Sequence, residues 1–140
     1  MSWDTAAAAA AQHVYINGVS DKNVFSVVDG VLDYTLADWA VYEMPDQNQK
    51  LDGCLAEIYF QIGEWMDFSL VSNRRKFISA NGKPVYLGTD GRIPTGNIPM
   101  VYLHLADGEA VNNFMTNRTG KGNFANGTGA LQTGSTSPSD

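Results

Sequence analysis

The chain has 140 residues, enough for one domain with a buried core, and its 14 glycines are typical of a chain with many short strands. Its net charge of -6 at pH 7 argues against nucleic acid or an anionic membrane surface as the partner, since both select clustered lysine and arginine. A single cysteine allows no intrachain disulfide, and we find neither a signal peptide nor an apolar run long enough to cross a bilayer.

The first predicted element is a strand over residues 13–19. Val14 and Ile16 alternate with polar or aromatic neighbours, which assigns these two side chains to the core. The dipeptide Asn17-Gly18 is a strong hairpin signal, and we expect the return strand to begin near Val24. This return strand is predicted over residues 24–28, and further strands of an antiparallel meander over residues 31–34 and 38–42.

The strongest predicted strand covers residues 51–60. Its period of two places Cys54, Ile58 and Phe60 on one wholly apolar face, which we expect to meet the core. Glu57 belongs to the opposite face and is predicted to point away from the core.

One short helix is predicted over about residues 69–79, where the apolar period lengthens to that of a helix. Asp67 or Ser69 can cap its start. Phe77 belongs to its apolar stripe and is assigned to the core. The helix also carries the basic cluster Arg74, Arg75 and Lys76, for which a solvated face near the helix C-terminus is favoured over an anion-binding site.

The next segment, residues 82–99, contains repeated Pro and Gly turn signals and is long for a bare connection, so we expect a surface arm or contact loop. Residues 99–105 form the last strong predicted strand. Residues 117–140 are rich in Gly, Ser, Thr and Asn, with Phe124 and Leu131 as apolar anchors. Such a segment gains order by docking, and the chain therefore divides into a domain ending at residue 116 and a C-terminal arm.

Several of these segments resemble the same family of domains. Residues 15–19 and 51–60 resemble the strand pattern and the Gly-Cys-aliphatic-Ala-Glu strand of laminin-G-like, concanavalin-A-like sandwich domains. The later segments are similar to the C-terminal part of such domains in tailed-phage and prophage virion proteins, namely residues 67–78, 82–85, 87–88, 90–91, 94–96 and 135–140.

This resemblance implies an all-β, antiparallel β-sandwich of jelly-roll type. The match begins around Trp3-Asp4, partway through the family's domain, so the family's first several strands are expected to be missing. The family cysteine often has a disulfide partner, which Cys54 lacks here.

The residue pattern favours binding over catalysis. His13 and His104 fall on predicted strands without a nucleophile elbow or a spacing that converges on a triad, so we predict no enzyme and no cofactor. Asp46, Asn48 and Asp52 offer oxygen ligands in one polar stretch that calcium could use, but a solvated turn is the favoured interpretation because Asp and Asn are standard turn residues.

The resemblance implies a non-enzymatic structural protein of a tailed-phage particle, made in the host cytoplasm. A capsid decoration or cement protein that binds the major capsid protein, and itself as a homo-oligomer, is the first interpretation. The alternatives are a tail or fibre module and a lectin-like glycan-binding domain for host attachment. The residues predicted to form the interface or a sugar site are Trp39, Tyr42, Trp65, Arg74, Arg75, Phe124 and Leu131.

Overall fold

The computed structural model describes residues 1–4, 12–22, 35, 53–125 and 130–135. In chain order its elements are strands β1 (Tyr15–Ile16), β2 (Val19–Ser20) and β3 (Glu57–Phe60), the one-turn helix α1 (Val71–Arg74), strand β4 (Val101–His104) and a 3₁₀ helix (Val111–Met115). The strands form two small antiparallel sheets, β1–β2 and β3–β4. With mostly strands and little helix, the described part of the chain is compatible with the all-β class.

Several predictions fall outside the described residues. They are the strands over residues 24–28, 31–34 and 38–42, the aromatic residues Trp39 and Tyr42, and the calcium candidates Asp46, Asn48 and Asp52. No helix formed by the described residues has the length and apolar character needed to cross a membrane.

The β1–β2 hairpin confirms the predicted turn. Asn17 and Gly18 both have positive φ, 51° and 79°, as the favoured two-residue hairpin turn requires. The return strand begins at once, with Val19 opposite Ile16, so the prediction of a return near Val24 is wrong. Ile16 is 57% exposed and its assignment to the core is also wrong, while Val14 is half-buried.

The β3–β4 sheet contains four residue pairs, from Glu57 opposite His104 to Phe60 opposite Val101. The strand predicted over residues 51–60 is thus shorter at its start. Cys54 precedes the paired residues and is exposed, so its assignment to the core is wrong. The period of two assigns a face only where a partner strand continues the sheet.

The buried core of the described residues is centred on β4. Val101, Tyr102 and Leu103 are buried in succession, with Tyr102 at 0% and Leu103 at 1% exposure. Burial of consecutive residues means that both faces of β4 are covered. Leu87 and Pro99 complete this core, whereas the predicted core residues Ile58, Phe60 and Phe77 are only half-buried.

Part of the predicted loop over residues 82–99 covers β4. Leu87, Gly91 and Pro94 are buried within it. Gly91 has φ +81°, and a Cβ there would lie 2.9 Å from Pro99 Cγ and 3.0 Å from Tyr102 Cγ. The predicted surface position of this segment is therefore wrong for these three buried residues, and Gly91 packs against Tyr102 of β4.

The helix predicted over residues 69–79 is a single turn, α1. Asp67 Oδ1 accepts a hydrogen bond from the Ser69 N–H at 2.8 Å, which closes the turn before α1. The helix does not extend to residue 79 because the chain pairs with itself: the Val85 N–H donates to the Phe77 carbonyl, and the Ser79 N–H to that of Lys83. These longer-range bonds replace further helical turns.

The start of the predicted C-terminal arm hydrogen-bonds to β4. The Tyr102 N–H donates to Asn117 Oδ1 at 3.0 Å, and the Arg118 N–H donates to the Tyr102 carbonyl at 2.9 Å. The Arg118 guanidinium donates to the His104 carbonyl at 3.0 Å. Asn117 and Arg118 therefore supply the hydrogen-bond partners that a third strand would give to the outer edge of β4. The division of the chain at residue 116 stays a prediction.

Candidate functional site

A cleft of about 1530 Å³ separates the N-terminal residues and the hairpin from the rest of the described structure. Its volume exceeds the roughly 300–1,000 Å³ of ordinary small-molecule sites, so it has room for a macromolecular segment. Its walls are rich in aromatic side chains, namely Trp3, Tyr15, Tyr59, Phe60, Trp65 and Phe68.

Several contacts between described residues join the two walls. His13 Nε2 lies 3.1 Å from Asp67 Oδ1, within ion-pair distance but without hydrogen-bond geometry. The Arg74 guanidinium carbon lies 4.4 Å from the centroid of the Tyr15 ring, a cation–π contact. The Trp3 and Phe60 rings lie 6.3 Å apart. Among the described residues, the hairpin is therefore joined to the opposite wall by side-chain contacts, and its strands do not pair with β3 or β4.

Electrostatics at this junction centre on Asp67. The hydrogen bond from Ser69, and then the proximity of His13, hold the pKa of the Asp67 carboxyl below its ordinary value. Asp67 is therefore ionised at neutral pH and can attract a protonated His13 across the cleft.

The basic cluster is used within the chain. The Arg74 guanidinium donates to the carbonyls of Phe68 and Ser69, the latter at 2.9 Å. Arg75 donates to the carbonyls of Ile78 and Ser79. Lys76 Nζ donates to the Pro94 carbonyl at 2.9 Å. Because backbone oxygens already accept from these cations, the contacts favour a structural role over an anion-binding site.

Three side chains that line the cleft, those of Ser2, Gln61 and Tyr59, have a buried polar atom without a hydrogen-bond partner. The atoms in the first two are Ser2 Oγ and Gln61 Oε1. A buried polar atom without a partner costs about 1–3 kcal/mol of stability.

The Tyr59 hydroxyl is buried in the same wall. Burial raises its pKa, and Thr95, near enough to lower that pKa, does not reach hydrogen-bond geometry. The hydroxyl therefore stays protonated at neutral pH.

The predicted site residues are only partly brought together. Trp65 is 43% exposed and lines the cleft, with its ring 6.0 Å from that of His13, and Arg74 lines the same cleft. Arg75 does not line it. Phe124, whose N–H donates to the Met115 carbonyl, and Leu131 are half-buried elsewhere.

The sequence analysis did not assign Trp3 and Tyr15 to the site. A signal for Tyr15 is present, since it alternates with Val14 and Ile16 and so belongs to the opposite face of its strand. Trp3 carries no local pattern, because its contact with Phe60 joins residues distant in sequence.

A second polar cluster lies on the β3–β4 sheet. His104 Nδ1 is 3.0 Å from Glu57 Oε1, which also accepts a hydrogen bond from the Tyr102 hydroxyl at 3.2 Å. The Tyr102 and His104 rings stack 5.7 Å apart. Burial and the nearby Glu57 raise the pKa of Tyr102. Glu57, predicted to point away from the core, is thus partly covered by its cross-strand neighbours.

This cluster shows no nucleophile. In the described part of the chain no hydroxyl or thiol hydrogen-bonds to His104. The described residues also contain no group of three His, Cys, Asp or Glu side chains placed to hold a metal ion.

Comparison of the chain with protein-family models, curated proteins and solved structures finds no match.

Proposed function

We propose that the protein is a non-enzymatic structural component of a tailed-phage particle, a capsid decoration protein that binds neighbouring capsid subunits. The sequence resemblance supports the assignment to a virion. The aromatic cleft is the observation that supports binding to another protein. The same resemblance supports a β-sandwich of jelly-roll type, a homo-oligomeric state and the major capsid protein as the partner.

The chemistry of the cleft suits a protein partner. Exposed tryptophans at the rim of a concave surface are the side chains that most often carry binding energy in protein interfaces. Trp65, at 43% exposure, and Trp3, at 37%, occupy this position. Because Arg74 and Lys76 are already bonded to backbone carbonyls, the occupant is expected to be apolar or uncharged rather than anionic.

Binding to purified particles tests the proposal. Trp65→Ala removes an exposed ring from the cleft, and we expect its affinity for particles lacking the protein to fall about tenfold or more, about 1.4 kcal/mol. Tyr86→Ala is the matched control, because Tyr86 is also an exposed aromatic residue but does not line the cleft. A wild-type protein that leaves such particles unoccupied would overturn the proposal.

Glycan binding is the second candidate. Two exposed tryptophans that line the same cleft, Trp3 and Trp65, are a surface on which a sugar ring could stack. A glycan array screened with and without calcium separates the two functions. Saturable glycan binding that Trp65→Ala abolishes, without any particle binding, would favour the lectin function.

A further inference from the structure

The two outer edges of the β3–β4 sheet differ. At β4, Tyr102 turns both its N–H and its carbonyl away from β3, where Asn117 and Arg118 bind them. The arm therefore occupies this edge and protects it from further strand pairing.

The opposite edge belongs to β3. Tyr59 is the antiparallel partner of Tyr102. In an antiparallel ladder the two residues of a pair direct their backbone groups either both toward each other or both outward. The Tyr59 N–H and carbonyl therefore point away from β4, and no hydrogen bond from another described residue reaches them.

The open edge and the cleft share Tyr59, which lines the cleft. An extended polypeptide supplies N–H and carbonyl groups at regular intervals and alternates its side chains between two faces, so it can pair with Tyr59. The volume of about 1530 Å³ accommodates such a segment.

We propose that residues 130–135 of a second copy of this chain occupy the cleft as a strand added to β3. This inference rests on the proposed homo-oligomeric state and names the segment that joins two copies; it places the arm along Tyr59 and leaves the exposed Trp65 ring for the capsid partner. Residues 130–135 carry no charge, which suits a cleft whose cations are already bonded, and Leu131 supplies an apolar side chain for the aromatic walls.

The anchoring of the arm supports exchange between copies. Asn117 and Arg118 fix the start of the arm on β4 of their own copy, and residues 132–135 are exposed and outside regular structure there. Reciprocal exchange of such arms gives a closed dimer with two equivalent sites.

Backbone amide exchange of the full chain tests this proposal at one residue. We expect the Tyr59 amide to exchange about tenfold or more slowly in the full chain, at concentrations where the mass is that of a dimer, than in a chain ending at residue 129. Adding a synthetic peptide of residues 130–140 to the shortened chain should restore slow exchange. The Tyr102 amide, bonded to Asn117 Oδ1, should be slow throughout and shows that the variant is folded.

A full-length Leu131→Asp variant serves if the shortened chain fails to fold, because it places a charge among the aromatic walls and should also speed Tyr59 exchange. Equal Tyr59 exchange in wild-type and variant chains would overturn the proposal, as would slow exchange in a protein that stays monomeric at every concentration. Either result leaves particle binding by the Trp65-lined cleft unaffected, so the two proposals fail separately.

Discussion

The β3–β4 sheet and the β1–β2 hairpin are both two-stranded and antiparallel, yet they are stabilised differently. On β4 the side chains of three consecutive residues are buried, whereas Ile16 and Val19, paired across the hairpin, are 57% and 70% exposed. The sheet is covered by residues distant in sequence, including Leu87 and Asn117. Strand pairing alone therefore does not create a core here; the covering segments do.

The hairpin depends instead on its turn and on a few side-chain contacts. Its turn uses the left-handed conformations of Asn17 and Gly18, and its docking uses the contacts of His13 and Tyr15 with the opposite wall. A single partly covered ion pair and a cation–π contact contribute little compared with the burial of several apolar side chains. We expect the hairpin to undock under conditions in which the β3–β4 sheet stays folded.

Removing a core side chain from β4 should have the largest effect. Leu103→Ala leaves a cavity at a fully buried position and should lower the free energy of unfolding by about 3–5 kcal/mol. Val19→Ala in the exposed hairpin should change it by less than about 0.5 kcal/mol. Urea unfolding followed by circular dichroism measures both, and equal losses would contradict the contrast between the two sheets.

A methyl group at Gly91 should have the next largest effect. Gly91→Ala combines an unfavourable positive φ with contacts of 2.9–3.1 Å to Pro99 and Tyr102, and should cost about 2–4 kcal/mol. Gly96 also has positive φ, +89°, but nothing lies within 4 Å of a Cβ there. Gly96→Ala should therefore lower the free energy of unfolding by only about 1–2 kcal/mol. Thermal unfolding of both variants gives the two losses, and their difference measures how tightly Gly91 packs on β4.

Loss of the side-chain bonds at the β4 edge should cost less. Asn117→Ala removes the acceptor for the Tyr102 N–H and the donor to the Met100 carbonyl, and should destabilise the protein by about 1–2 kcal/mol. Asn112→Ala, at an exposed asparagine, should change stability by less than about 0.5 kcal/mol. Amide exchange at Tyr102 adds a local measurement, because it should accelerate only in Asn117→Ala.

The sequence predicts features that depend on neighbouring residues and misses those that depend on distant ones. Asn17-Gly18 specifies its turn locally, and the apolar run around Val101 to Leu103 marks β4 without further information. The alternation around Ile16 shows which residues share a face but not which face is covered. Helix α1 is shorter than predicted because Phe77 bonds to Val85, a pairing that no helical period reveals.

The candidate site follows the same division. Trp65 is identified from the sequence because an aromatic residue in a polar stretch is a plausible contact, and the structure places it in the cleft. Trp3 is missed because the cleft forms only when the N-terminal residues meet β3. The pairing of His13 with Asp67 likewise joins residues that no local motif relates.

The smallest expected effect is on the docking of the hairpin in acid. The pKa of Asp67 is lowered in the folded state, so the stabilisation by its carboxylate is complete above the unfolded-state pKa, about 3.9, and is lost as the pH falls through the lower folded-state pKa. The Tyr15 ring signals in NMR spectra should therefore shift toward those of an undocked hairpin as the pH falls below about 4.

Asp67→Asn keeps an acceptor for Ser69 but removes the carboxylate opposite His13, so it should abolish this acid transition. Asp90→Asn is the matched control, since the pKa of Asp90 is also lowered, by Arg92, but Asp90 does not line the cleft. A Tyr15 transition that Asp67→Asn leaves in place would show that another group, and not this ion pair, controls hairpin docking.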